Sequence, residues 1–244
     1  MIWDISSSSK GRNIEKELTI LTQYLSKFPA LDIEVITFSN TIHEQKSFTV
    51  SSGNLKELIS YLRKQEYDGG TQIGALNLSK YKSDEFLFFS DGLSNFGKSK
   101  IETDNKTVHS LTSNITSDYS YLKHLAATTG GQFININTLK SKDIITKLNS
   151  YSYRFISASF NENEIFETFP KSENLSPNGF QLAGKLKTNN ATITLNFGFG
   201  NEISHSETFT INIENNNYEG MIRKIWAQKK FSYLDVFNEK YNQE

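Results

Sequence analysis

The run Phe86-Leu87-Phe88-Phe89 contains no polar position and passes directly into Ser90-Asp91-Gly92. A strand buried on one face would alternate apolar and polar residues, so an unbroken run marks a strand covered on both faces, as in a parallel sheet. Such a strand is central and needs helices around it. The chain supplies them: from Asn13 to Phe28, Ile14, Leu18, Leu21, Leu25 and Phe28 recur at helical spacing. Leu31 to Phe38 is β-branched and aromatic enough for a strand, His43 to Val50 for a weaker one, and Leu55, Leu58, Ile59 and Leu62 return to helical spacing. After the apolar run come a weak strand near Val108, a helix from Tyr121 to Ala127, a strand from Gln132 to Ile136 and a helix carrying Ile144, Ile145 and Leu148. This alternation predicts a doubly wound, Rossmann-like α/β domain over residues 1–150, with a mostly parallel sheet and helices on both faces.

Beyond Tyr151 the pattern changes to period two, clearest in Thr192 to Phe199 and Thr208 to Ile213. A small antiparallel β domain is expected over 151–216, then a C-terminal amphipathic helix over 217–244. From Tyr218 onward that helix would bury Ile222, Ile225, Trp226, Tyr233, Leu234 and Phe237 and leave Arg223, Lys224, Lys229 and Lys230 as a solvated face. A length of 244 residues with 36% hydrophobic content suits one medium domain and one small one. Lys+Arg of 26 against Asp+Glu of 27 leaves a net charge of -1, which gives no general attraction to nucleic acid. No apolar run reaches the roughly 18 residues of a membrane helix, so direct membrane insertion is not expected. The absence of cysteine excludes disulfides and thiolate metal sites. Because the chain opens directly on an apolar strand, further sequence upstream is expected.

The chemistry-bearing residues are oxygen donors. Asp4, Ser6 and Ser8 form D-x-S-x-S after the apolar Met1 to Trp3, Thr71 closes Asp68-Gly69-Gly70-Thr71, and Asp91 follows the central run. Ligands of open α/β sheets bind beyond the carboxyl ends of strands, where strand order reverses. Asp4 and Asp91 fall at two such ends, and Thr71 is placed at the start of the intervening helix. Singly, these are a polar loop, a glycine turn with a helix cap, and a common turn. Jointly they suit a hard divalent cation, Mg2+ above all, with Mn2+ or Ca2+ as alternatives. Mg2+ takes about six oxygens and retains some waters. Two carboxylates among three neutral hydroxyls leave it partly uncompensated and ready to accept a further anion, such as an acidic side chain of a partner protein.

These residues resemble the von Willebrand factor type A domains, whose metal-ion-dependent adhesion site uses D-x-S-x-S, a threonine and a later aspartate. The resemblance spans about residues 1–150. Trp3-Asp4, Asp68-Gly69-Gly70-Thr71-Gln72, Ser90-Asp91-Gly92 and the later Ile225-Trp226-Ala227-Gln228 look most like the inter-alpha-trypsin-inhibitor heavy-chain group and its bacterial relatives. The resemblance implies Ser6 and Ser8 as direct metal ligands, with Asp4, Thr71 and Asp91 bound directly or through water. It also implies an upstream VIT domain and a place in the cell envelope or outside the cell. Ser7 stands where that family commonly has glycine.

Two other functions compete. Gly92 to Ser99 satisfies the phosphate-loop pattern G-x-x-x-x-G-K-[ST], yet Lys100 to Lys106 holds only Ile101 as an apolar residue, so no helix is expected where a phosphate would need its N-terminus. Alternatively the domain is structural and the metal site vestigial. His43, His109, His124 and His205 share no ligand spacing, no G-x-S-x-G occurs, and catalysis is not expected. Three N-x-[ST] sequons, at Asn105, Asn114 and Asn190, are assigned no role.

Overall fold

A computed structural model describes residues 1–83, 85–175, 179–213 and 221–235. The chain divides into two compact units, Met1–Tyr151 and Ser152–Glu244. The first is built on a six-stranded sheet of β1 (Ile2–Asp4), β2 (Ala30–Phe38), β3 (Ile42–Ser51), β4 (Glu85–Phe89), β5 (Thr107–Thr112) and β6 (Phe133–Asn135). The spatial order is β3-β2-β1-β4-β5-β6. All neighbours run parallel except β2 and β3, an antiparallel pair at one edge. The unalternating run is β4, paired on both sides, with Phe86, Phe88 and Phe89 all buried.

Among the described residues four α-helices accompany this sheet: α1 (Ile14–Leu25), α2 (Lys56–Arg63), α3 (Tyr119–Thr128) and α4 (Ser141–Leu148). In α1 the Asn13 side chain accepts from the Lys16 N–H, satisfying one of the donors a helix start leaves free. Its Leu18, Leu21 and Leu25 join Trp3, Leu58, Leu62, Phe89, Leu111 and Ile144 in one apolar core. Full burial of each such side chain contributes about 1.5–3 kcal/mol. Near β6 the backbone of Gly131 passes so close to β5 that a Cβ there would lie 2.1 Å from the Val108 carbonyl oxygen. Only glycine fits.

One expected element is absent. Thr71 does not open an α-helix; two short 3-10 turns follow, at Ile73–Ala75 and Leu78–Lys80. The backbone groups that a helix would use internally are instead paired with a neighbouring strand-like segment. Gly74 N–H donates to Lys98 O at 2.8 Å, Leu78 N–H to Glu102 O at 2.7 Å, and Glu102 N–H to Leu76 O at 3.1 Å.

The second unit contains β7 (Tyr153–Phe160), β8 (Ile165–Phe169), β9 (Glu173–Asn174), β10 (Ala183–Leu186), β11 (Asn190–Phe199), β12 (Glu202–Asn212) and α5 (Met221–Asp235). Its antiparallel sheet has the order β12-β11-β7-β9, beside a β10-β8 pair. Phe155, Ile165, Ala191, Ile193 and Leu195 form the core, the β11 members alternating as their period-two pattern predicts. The basic face of α5 is solvated in part: Arg223 and Lys224 are exposed as expected, whereas Lys229 and Lys230 are not. Lys230 Nζ lies 2.7 Å from Glu167, Lys229 Nζ lies 3.5 Å from Glu173, and both lysines are partly buried. Ile222, assigned to the buried face, is 56% exposed. Acidic side chains on β8 and β9 draw the lysines inward, while Trp226 Nε1 donates to Glu167 O at 2.9 Å. Tyr218, Phe237 and the expected 216/217 boundary lie outside the described residues. No helix among the described residues is long and apolar enough to cross a membrane.

Candidate metal centre

Strand order reverses between β1 and β4, and both strands end at the same level: Ile2 pairs with Phe88 and Trp3 with Phe89. Asp4 is therefore set beside Ser90, and Ser90 Oγ donates to Asp4 Oδ2 at 2.6 Å. The other carboxylate oxygen, Oδ1, accepts from the Ser6 N–H at 2.9 Å, which folds the D-x-S-x-S loop back over the strand end. Asp4 is wholly buried.

The glycine turn is stitched to that loop. Asp68 N–H donates to Ile5 O and Ser7 N–H to Gly69 O, each at 2.9 Å. Gly69 has φ of +80°, a conformation glycine adopts without strain. The stitching carries Thr71 to the serines. Ser6 Oγ is 3.2 Å from Ser8 Oγ, and Ser8 Oγ is 3.4 Å from Thr71 Oγ1. Three hydroxyls thus form a row drawn from two loops, with Ser6 and Thr71 buried and Ser8 half-buried.

Asp91 comes from the third loop and is wholly buried. Its Oδ1 accepts from the Leu93 N–H at 3.0 Å. Its Oδ2 is buried with no protein donor at hydrogen-bond geometry, although the Ser8 hydroxyl lies near enough to favour the charged carboxylate. Desolvation, followed by the nearby Asp4 charge, holds the Asp91 carboxyl above its ordinary range; the Leu93 N–H, the Ser8 hydroxyl and Arg12 pull the other way. A buried carboxylate oxygen without a donor costs free energy unless a cation or proton meets it. The loop is held from both directions. Asn95 Oδ1 accepts from Thr71 N–H at 2.8 Å, and Asp118 N–H donates to Asp91 O at 2.8 Å.

Asp118 also caps α3, accepting from Tyr121 N–H at 2.8 Å. Asp118→Ala should cost about 1 kcal/mol, the usual loss for an N-cap. Urea unfolding should register it as a lower midpoint with an unchanged slope.

Several residues that hold the centre carry no sequence motif. Arg12 and Glu17 form a buried ion pair at 2.6 Å, both side chains fully enclosed. Arg12 Nη1 donates to Asp4 O at 2.7 Å, and its guanidinium lies 4.5 Å from the Trp3 ring centroid. Burial works against the Arg12 charge, but Glu17 outweighs it and raises the pKa. Ser113 Oγ donates to Glu17 Oε1 at 2.6 Å, and Asn114 Nδ2 to Ser8 O at 3.2 Å. Asn114, one of the sequon asparagines, is only 3% exposed.

His109 sits at the other end of the strands, where its Nε2 lies 2.9 Å from Glu85 at the start of β4. Its Nδ1 accepts from Gln132 N–H at 3.1 Å. The Gly92 to Ser99 segment leads into no helix before α3, and Asn95 and Phe96 N–H groups turn to Thr71 O at 3.1 and 3.0 Å. Lys98 is largely solvated, 3.9 Å from Glu102.

No protein-family profile and no curated protein matches the chain. Among solved structures it is similar to an aerotolerance-related membrane protein from Bacteroides fragilis NCTC 9343 with multiple mutations to serines. That pair shares 14% identity over 61% of this chain and 94% of the other, with a TM-score of 0.46. It is also similar to an uncharacterized membrane spanning protein from Vibrio fischeri, at 10% identity over 60% of this chain and 93% of the other, with a TM-score of 0.26.

Proposed function

We propose that the first unit is a von Willebrand type A module that binds Mg2+, or Mn2+ or Ca2+ in its place, and through it an acidic side chain of a partner protein. The observation that carries this reading is the buried Asp91 Oδ2, left without a donor at hydrogen-bond geometry beside the Ser6, Ser8 and Thr71 hydroxyls. The donor set fits a hard cation: oxygen only, two carboxylates, three hydroxyls. The reversal of strand order at β1 and β4 supports the doubly wound reading, in which this crevice is the expected ligand site.

The residues divide the work. Ser6, Ser8 and Thr71 would face the cation directly, while Asp4, with both oxygens already engaged by Ser90 and Ser6, has lone pairs left for a bound water. The cation would supply an electrophilic position for a foreign carboxylate. We read the unit as a binding module rather than an enzyme, located at the cell envelope or outside the cell as its sequence resemblance implies. Among the described residues no group of three or more histidine, aspartate or glutamate side chains stands ready as an alternative metal site.

Calorimetric titration with Mn2+ tests the proposal. One site is expected in the full chain, and Ser8→Ala or Thr71→Val should weaken it by at least about tenfold, the equivalent of one lost interaction of roughly 1.4 kcal/mol. Undiminished Mn2+ binding by both variants would refute it.

A further inference from the structure

The second unit holds a cavity of about 910 Å3 bounded by β8, β10, β11, β12 and the start of α5. That volume falls in the upper part of the roughly 300–1,000 Å3 range of small-molecule sites. Its walls follow from strand alternation. Ile193, Leu195 and Phe197 of β11 line it, and so do Phe209 and Ile211 of β12 with Ile213 just beyond. The intervening residues of β12 take the opposite face, where Thr208 Oγ1 lies 2.9 Å from Thr194 Oγ1. An antiparallel sheet that turns one face to water ordinarily keeps that face polar. Here the polar face is the one with the threonines, yet Phe209 and Ile213 on the apolar face are still 41% and 43% exposed.

Length and charge specify what fits. From Glu207 to Ile213 the β12 wall runs about 20 Å, at roughly 3.3 Å per residue, which suits one extended chain better than a compact ring system. The charged side chains of the lining, among the described residues, are Lys185, Arg223 and Glu207. Lys185 Nζ lies 4.1 Å from the Trp226 ring centroid and 2.6 Å from Glu167. Glu167 also holds Lys230 at 2.7 Å, so one carboxylate faces two ammonium groups. Arg223 stands three residues before Trp226, on the same helix face. Because α5 packs on β8 and β10, both cations belong to that side of the cavity, and Glu207 lies on the β12 side. We propose that the cavity takes a single-chain fatty acid, its alkyl chain along the β11 and β12 walls and its carboxylate at Lys185 and Arg223. The chain removes Phe209 and Ile213 from water, and the carboxylate gives the shared cations a second anion.

Calorimetric titration of the full chain in chelator, with every probe below its micelle concentration, tests this independently of the metal centre. Dodecanoate is expected to bind at one site. Octanoate, four methylenes shorter, should bind at least about twentyfold more weakly, since each buried methylene is worth up to about fourfold in affinity. Dodecanol keeps the chain and lacks the charge, and should bind about tenfold more weakly than dodecanoate. Phe209→Glu sets an acid in the wall at a position already partly in water, and should weaken dodecanoate by at least about tenfold. Lys185→Gln with Arg223→Gln should bring dodecanoate and dodecanol within about twofold of each other. Arg223→Gln alone, at an exposed position, should close part of that gap with the Lys185 to Glu167 pair intact.

Absence of dodecanoate binding overturns the inference. So does equal affinity for octanoate and dodecanoate, a preference for dodecanoate over dodecanol that survives in the double variant, or undiminished binding by Phe209→Glu. Cosedimentation with phosphatidylglycerol vesicles in the absence of dodecanoate binding would assign this face to a membrane surface and overturns it equally.

Discussion

Glu17→Ala should destabilise the first unit by about 3–5 kcal/mol, the usual consequence of removing one partner from a buried ion pair. Arg12 is the reason. Its side chain and that of Glu17 are both fully enclosed, with Nε and Nη2 of Arg12 directed at the carboxylate. Without Glu17 the guanidinium keeps its bond to Asp4 O but loses the anion that holds its charge in a dry site. Ser113 Oγ loses its acceptor as well. Replacing the pair together, Arg12→Met with Glu17→Leu, should recover most of the loss, because well-packed apolar residues match a buried pair in stability. Urea unfolding of the three proteins decides the matter. A loss below about 1 kcal/mol for Glu17→Ala would place the pair in contact with solvent.

Asp91→Asn should move stability in opposite directions with and without metal. In metal-free protein the Asp91 carboxyl is held above its ordinary range, by desolvation first and the Asp4 charge second. Its folded pKa therefore exceeds its unfolded one. The stability it contributes is fully present below the unfolded pKa and is lost as pH rises through the folded pKa. At neutral pH the ionised group works against folding, so the neutral amide should raise the melting temperature in chelator. The amide still accepts from Leu93 N–H through its oxygen. With Mg2+ at about one hundred times its Kd, the unaltered protein should gain about 2.7 kcal/mol, and Asp91→Asn should gain almost none. Paired thermal scans from acid to neutral pH, with chelator and with Mg2+, reveal the crossing. A variant less stable than the unaltered protein in chelator at neutral pH would show that Asp91 is satisfied without a cation.

Much of this was readable from residue order, for a physical reason in each case. The apolar run of β4 had to lie between two strands, since no polar position could face solvent. Once it is central, the residues just past its end and past β1 face one crevice, and Asp4 and Asp91 follow from that. Thr71 lies beside the serines for a different reason from the expected one. Its place comes from backbone stitching between the glycine turn and Ile5 to Ser7, not from a helix beginning there. Pairing of residues 74–78 with residues 98–102 has no local signal, because each segment finds its partner at long range.

The supporting residues were the least legible. Arg12 and Glu17 sit among other charged residues and nothing in their spacing distinguishes an enclosed pair from a solvated one. Asn114 stands in a sequon, a pattern too common to suggest that its amide holds the Ser8 carbonyl. Ser90 is part of an ordinary-looking turn until the register of β1 against β4 puts its hydroxyl on Asp4. Lys229 and Lys230 of α5 misled for a related reason. Lysines at helical spacing read as solvated unless acidic groups on other strands turn them inward, as Glu167 and Glu173 do.

The most direct measurement is anomalous X-ray scattering from crystals of the full chain grown with Mn2+. A single strong peak is expected within coordinating distance of Ser6 Oγ, Ser8 Oγ and Thr71 Oγ1, on the side of Asp91 Oδ2, with Asp4 reaching it directly or through a water. A crevice holding only water at saturating Mn2+, or a peak elsewhere in the chain and none there, would contradict the metal centre.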